Sequence, residues 1–188
     1  GNWSSSAIWF TSNIGGTDPA SYVTVATQSP IATNSLGIII NANVTVDAYI
    51  TIDQTTINSG NTLTINSGQT LTIADGSGND LTVTGAITNN GSINISSSST
   101  VVYNGGDQTI LALNYSELSF EGSVSGSTKT FADGVTSIEQ EIVIEDDLTI
   151  TGSTKNNVTI QVTTPGITTS RVFKIFAEFK EINISDLT

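Results

Sequence analysis

Residues 57 to 73 read INSGNTLTINSGQTLTI, in which Ile57-Asn58-Ser59-Gly60 recurs as Ile65-Asn66-Ser67-Gly68. Each copy leads into an apolar–polar–apolar triplet, Leu63-Thr64-Ile65 and then Leu71-Thr72-Ile73. In an extended chain such alternation sends the outer two residues to one face and the middle one to the other. Each triplet is therefore a short strand with Leu or Ile inward and Thr outward. The Asn-Ser-Gly connectors carry the residues that tolerate positive φ and turn a chain sharply between strands.

Working outward, the same triplet recurs as Val23-Thr24-Val25, Val44-Thr45-Val46, Ile50-Thr51-Ile52, Leu81-Thr82-Val83 and Ile93-Asn94-Ile95. It returns as Ile142-Val143-Ile144, Leu148-Thr149-Ile150, Val158-Thr159-Ile160 and Ile182-Asn183-Ile184. Asn89-Asn90-Gly91 and Asn104-Gly105-Gly106 supply further turns. Helical spacing fits none of these segments.

A longer period distinguishes stacked coils from hairpins. Val44, Leu63, Leu81 and Val101 head similar triplets at intervals of about nineteen residues, the length of one solenoid coil. The reading is all-β: a right-handed parallel β-helix with three short strands per coil and those four residues in one inward column. At roughly 4.8 Å per coil, some nine or ten coils make a rod on the order of 45 Å long. An antiparallel sandwich is the competing architecture, because short, evenly spaced strands also mark that class; it leaves the nineteen-residue register unexplained.

The ends differ from the middle. Residues 1–20 lack the repeat and hold both tryptophans, so Trp3, Trp9 and Phe10 are expected to cap the open edge and core of the first coil. Residues 21–188 are read as the β-helix itself, truncated at its C-terminal end. The segment from Arg171 to Lys180, with Phe173, Phe176 and Phe179, holds three of the five basic residues and fits a short helix or an irregular rung.

Composition excludes several functions. The 188 residues carry 17 acidic and 5 basic side chains, a net charge of −12. That balance opposes binding to nucleic-acid phosphates or anionic membranes, both of which need clustered Lys and Arg. Charged residues make up only 12% of the chain, about half the usual share, so hydroxyls and amides must form much of the polar surface. There is no Cys for disulfides or metal thiolates, and no His, the commonest general base. The longest apolar run, Leu36 to Ile40, is far too short to span a bilayer. Position 1 is not Met and no signal peptide is visible, so the chain reads as processed or as a fragment, in an extracellular or cell-surface setting.

The opening Gly1-Asn2-Trp3-Ser4 with Trp9, followed in order by TLTINSG (62–68), NNGSINIS (89–96) and VVYNGGDQTI (101–110), resembles secreted surface proteins of Bacteroidetes. The resemblance implies a parallel β-helix displayed or released outside the cell, often within a very large adhesin-like or filament-like protein. It supplies no catalytic residues to carry over.

Five acidic residues form the densest charge feature: Glu139, Glu141, Glu145, Asp146 and Asp147, around the Ile142-Val143-Ile144 strand. Hard oxygen ligands at this density suit Ca²⁺, the only cofactor the chain suggests; the bland alternative is a solvated face that deters edge aggregation. The stretch Asp75-Gly76-Ser77-Gly78-Asn79-Asp80 lacks the sixth-position glycine and distal Glu of an EF-hand and reads as a turn. Thr45, Thr64 and Thr82 form an outward ladder that meets Val102 at the next coil, an interrupted array better explained by the β-propensity of Thr than by an ice-binding plane.

No catalytic constellation emerges. Polysaccharide cleavage needs paired carboxylates across a cleft, or a carboxylate-bound cation beside an Arg or Lys base. Here Arg171 and four lysines are scattered away from the acidic stretch, and Asp146 and Asp147, as neighbours on a strand, face opposite ways. The expectation is a non-enzymatic, rigid stalk or filament unit whose partners are further repeats or identical subunits stacked end to end. The alternative is a polysaccharide-binding or polysaccharide-degrading β-helix, with Tyr49, Tyr103 or Tyr115 stacking on surface glycans.

Overall fold

The computed structural model describes residues 1–12, 22–121, 127–144, 149–152, 158–162 and 182–183. The chain opens with a 3-10 turn, Ser6–Ile8, and an antiparallel pair, β1 (Phe10–Ser12) and β2 (Tyr22–Val25). From there every pairing between named strands is parallel. The first coil is β3 (Ile38–Ile40), β4 (Val44–Val46) and β5 (Ile50–Ile52). The second is β6 (Thr55–Ile57), β7 (Thr62–Ile65) and β8 (Thr70–Ile73), and the third is β9 (Leu81–Val83), β10 (Ala86–Asn89) and β11 (Ser92–Ile95).

Then the pattern changes. After β12 (Thr100–Tyr103) and β13 (Gln108–Ile110) come the longer β14 (Asn114–Phe120), β15 (Thr128–Phe131), β16 (Gly134–Ile144) and β17 (Thr149–Gly152). Finally β18 (Val158–Val162) pairs with the first half of β16, and β19 (Ile182–Asn183) with β17. One wall runs unbroken through the stack as β3-β6-β9-β12-β14-β16-β18; the others are β4-β7-β10, β5-β8-β11 and β13-β15-β17-β19. The described residues form a parallel β-solenoid of about five turns, against the nine or ten expected, with about 21 residues per turn rather than nineteen.

The core is a set of inward columns that the triplets supply. Along the long wall Ile38, Thr55, Leu81, Val101, Leu118 and Ile142 lie in register, beside Ile40, Ile57, Val83, Tyr103 and Phe120; all are buried. Burying each Ile or Leu contributes about 2 kcal/mol. Thr55 takes an apolar position in this column, and its hydroxyl donates to the Asp53 carbonyl at 3.2 Å. Higher in the stack the core becomes aromatic: Phe120 packs edge-on to Phe131, with centroids 6.0 Å apart.

The four-residue column from the nineteen-residue register does not form. Val44 stacks on Leu63 and Leu63 on Ile87 in one wall, whereas Leu81 lies between Thr55 and Val101 in another. The triplets of β4, β7 and β9 all satisfy the same inward–outward rule, so the pattern does not choose a stacking partner. Corner lengths choose it. Only Asp53 and Gln54 join β5 to β6, while the 74–80 corner is seven residues long, so successive steps in the long wall are 17, 26, 20, 17 and 24 residues. The outward threonine ladder is likewise Thr45, Thr64 and Thr88; Thr82 belongs to the long wall, where Val102 does follow it.

Polar side chains hold the corners together. Asn58 donates to the Asn41 carboxamide oxygen one coil below, Asn43 accepts from the Thr62 N–H at 2.9 Å, and Asn104 accepts from the Thr84 hydroxyl at 2.6 Å. Gly60 and Gly68 carry φ of 78° and 77°, as the Asn-Ser-Gly turns require.

Candidate functional site

Trp3 and Trp9 close the first turn. The Gly1–Trp3 backbone adds a rung beside β4: the Trp3 N–H donates to the Thr45 carbonyl at 2.7 Å, and the Thr45 N–H to that of Gly1 at 2.8 Å. Trp3 is fully buried with its indole N–H on the Pro30 carbonyl at 2.9 Å, and Trp9, 8% exposed, donates to the Trp3 carbonyl at 3.0 Å. The two rings lie 4.8 Å apart. Burial opposes ionisation of Asp47, but the Ser4 hydroxyl, the Ser4 N–H and its own backbone N–H outweigh that, holding its carboxyl below the ordinary value.

Phe10 stands apart from this pair at 51% exposed. It lines a cleft of about 530 Å³ with Trp9, Ala26, Gly37 and the outer side of Ile38–Ile40. The Ala32 N–H covers β5 by donating to Thr51 at 2.9 Å. In contrast, β3 is the edge of its wall, with no strand on its outer side among the described residues.

Inside the stack, Lys129 replaces an apolar residue. It is fully buried at the inward position of β15, and its ammonium donates to the carbonyls of Gly105 (2.7 Å) and Gly106 (3.1 Å) and to Gln108 Oε1 (2.5 Å). Burial lowers its pKa to about 8 while Asp107 works the other way. Gln108 passes the connection to the coil below through its carboxamide N–H groups, to Val83 at 2.7 Å and Gly85 at 3.1 Å. A buried ion survives only when its donors are satisfied, and all three of these are.

Tyr103 and Tyr115, candidates for glycan stacking, are both buried with hydroxyls 3.1 Å apart, and Tyr115 donates to the Leu111 carbonyl at 3.0 Å. Burial raises both phenol pKa values. Neither ring reaches a sugar, which leaves Tyr49, 77% exposed.

Glu139 lines a groove between β11 and the β14–β16 pair with Ile93, Ile95, Leu113 and Val135, and among the described residues no second carboxylate joins it there. Glu141 lies in backbone register with Glu117. The Glu141 side chain, with Glu145, Asp146 and Asp147, lies outside the described residues, as does the Arg171–Lys180 segment. Among the described residues no group of three Asp, Glu, His or Cys side chains is placed to hold a metal, and no helix is long and apolar enough to cross a membrane.

Two ionisable groups escaped the sequence reading. Lys129 was visible as a charge at the inward position of Thr128-Lys129-Thr130-Phe131. Asp80, 1% exposed at the close of the Asp75–Asp80 turn, gave no local signal. Comparison with family models, with curated proteins and with solved structures finds no match to this chain.

Proposed function

We propose that this chain is a non-enzymatic structural element of an extracellular bacterial surface protein, a rigid stalk or filament unit whose ends make its working contacts. The observation that carries the reading is the unbroken long wall, in which seven strands hydrogen-bond along the stack and bury one continuous core. Each coil contacts chiefly its neighbours, so load passes from rung to rung. The sides are polar rungs of Thr and Asn, and the chemistry-bearing groups Lys129, Tyr103 and Tyr115 are enclosed rather than presented to a substrate. A low-charge, Cys-free composition supports the surface setting.

An open strand edge templates the addition of another strand. The outer edge of β3, beside the cleft at the Trp3–Trp9 end, supports a neighbouring coil as partner, whether from further repeats or an identical subunit. Repeated head to tail, such a contact builds open fibres when it does not close. Electron microscopy of native material tests the reading: rods or filaments with strands perpendicular to the long axis are expected. Compact monomers that bind or cleave a polysaccharide would refute it.

A further inference from the structure

The corner at 74–80 ends in an acid whose surroundings are arranged around a carboxyl group. One Asp80 oxygen accepts the Gly76 N–H at 2.8 Å, closing the corner on itself; the other accepts the Thr100 N–H at 2.7 Å, from the coil above. From the coil below comes Asp53, whose carboxyl packs against the same Gly76 that donates to Asp80. Asp53 Oδ1 is completely buried and has no donor. The Asp53 carboxyl also lies against the corner backbone, since a Cβ on Gly76 would stand 2.2 Å from Asp53 Oδ2.

Nothing among the described residues neutralises this pair. The corner contributes Asp75, which is exposed and acidic, with the neutral Ser77 and Asn79; Gln54, beside Asp53, donates to the Ser77 carbonyl at 2.7 Å. From above, Thr100 leads to another acid, Glu117, which accepts its hydroxyl at 2.9 Å. Two carboxylates in contact without a cation or an N–H between them repel strongly. A single proton turns the same contact into an O–H···O bond.

We propose that Asp80 keeps its proton in the folded chain and donates it to Asp53, and that this contact is a pH-sensitive latch seating the 74–80 corner between the second and third coils. Protonated, the pair links three successive coils through Asp53, Asp80 and Thr100. Once Asp80 ionises, the corner is pushed off Asp53 and its hydrogen bonds loosen.

The direction follows from linkage. Burial first, offset by hydrogen bonds from Thr100 and Gly76 and reinforced by Asp53, raises the Asp80 pKa to about 6. An unfolded Asp titrates near 3.9, so the folded chain holds the extra proton between about pH 4 and 6. The stabilisation is complete below pH 4 and is lost as pH rises through 6. The two-unit difference corresponds to roughly a 100-fold loss in the folding equilibrium over that window.

Two measurements on the whole chain test the latch. Carbon-detected NMR should show the Asp80 carboxyl titrating near pH 6, with exchange protection of the Gly76 and Thr100 amides falling between pH 5 and 8. Asp53→Asn supplies a permanent donor to Asp80, so the Tm difference between variant and wild type should be small at pH 5 and favour the variant at pH 8. An Asp80 carboxyl titrating below pH 4.5, or an unchanged Tm difference across that range, would overturn the proposal. So would a rise in wild-type Tm at pH 8 on adding calcium to EDTA-treated protein that Asp53→Asn abolishes, because the pair would then hold a cation. Should Asp53→Asn fail to fold, the wild-type NMR titration still decides.

Discussion

Replacing Gly85 with alanine would put a methyl group 2.3 Å from the Asn61 carbonyl oxygen, 2.6 Å from that of Asn58 and 3.1 Å from Ile57 Cγ2. These atoms belong to the Asn-Ser-Gly corner of the coil below, on which Gly85 sits directly. The crowded atoms are mostly backbone, so relief requires the two coils to part by about 1 Å, the gap to an ordinary carbon–oxygen contact of about 3.4 Å. Three hydrogen bonds cross this corner: Thr84 N–H and Gly85 N–H to the Ile57 carbonyl, both 2.9 Å, and Ala86 N–H to that of Asn61, 3.0 Å. Stretched by about 1 Å, two of them pass beyond useful range at about 1 kcal/mol each. Overpacking adds roughly 1–3 kcal/mol, and the stiffer unfolded chain returns about 0.5–1 kcal/mol. The expected net loss is about 2–4 kcal/mol. Gly60, with φ of 78° and no heavy atom within 4 Å of the place a Cβ would take, provides the contrast. Alanine there costs only the left-handed backbone penalty of about 1–2 kcal/mol, and asparagine recovers part of it. At Gly85 asparagine should be no better than alanine. Urea unfolding followed by far-UV circular dichroism measures all four variants, and exchange at the Ala86 amide locates the damage. A Gly85→Ala variant within about 0.5 kcal/mol of wild type, the usual range for an uncrowded surface change, or a Gly85→Asn rescue, would refute the stacked-corner argument.

Tyr115→Phe should destabilise by about 2 kcal/mol and Tyr103→Phe by about 1 kcal/mol, because only the former removes the donor to the Leu111 carbonyl as well as the hydroxyl pair; equal losses in urea unfolding would contradict this. The lowered Lys129 pKa of about 8 means that the unfolded chain binds the extra proton between about pH 8 and 10.4, so stability attributable to this residue should rise with pH across that window. Lys129→Met should flatten that rise in thermal melts, and an unchanged slope would show that Lys129 does not titrate in the window. Trp3→Ala should cost about 3–5 kcal/mol and open the first coil, seen as loss of exchange protection at the Thr45 and Ala26 amides while the Tyr103–Phe120 region stays protected; a uniform loss along the stack would argue against Trp3 as a local cap.

The alternation of Leu63, Thr64 and Ile65 determined by itself which side chains turn inward, because a strand's two-residue period needs no knowledge of its neighbours. The left-handed turns at Gly60 and Gly68 and the burial of Trp3 and Trp9 were legible for similarly local reasons, as residues suited to a sharp turn or large enough to fill an end. The burial of Tyr103 was not legible, because Val101, Val102 and Tyr103 are all apolar or aromatic and all three are buried. Which rung lies on which was not legible. Val44 and Leu63 share a wall while Leu81 joins Thr55 and Val101, although all three apolar residues open near-identical triplets. Coil-to-coil bonds join residues 17 to 26 apart in the long wall, and that spacing is the sum of corner lengths that carry no shared signal. The meeting of Asp53 with Asp80, and of Gln108 with Lys129, exists only once those corners have closed and brought distant rungs into contact.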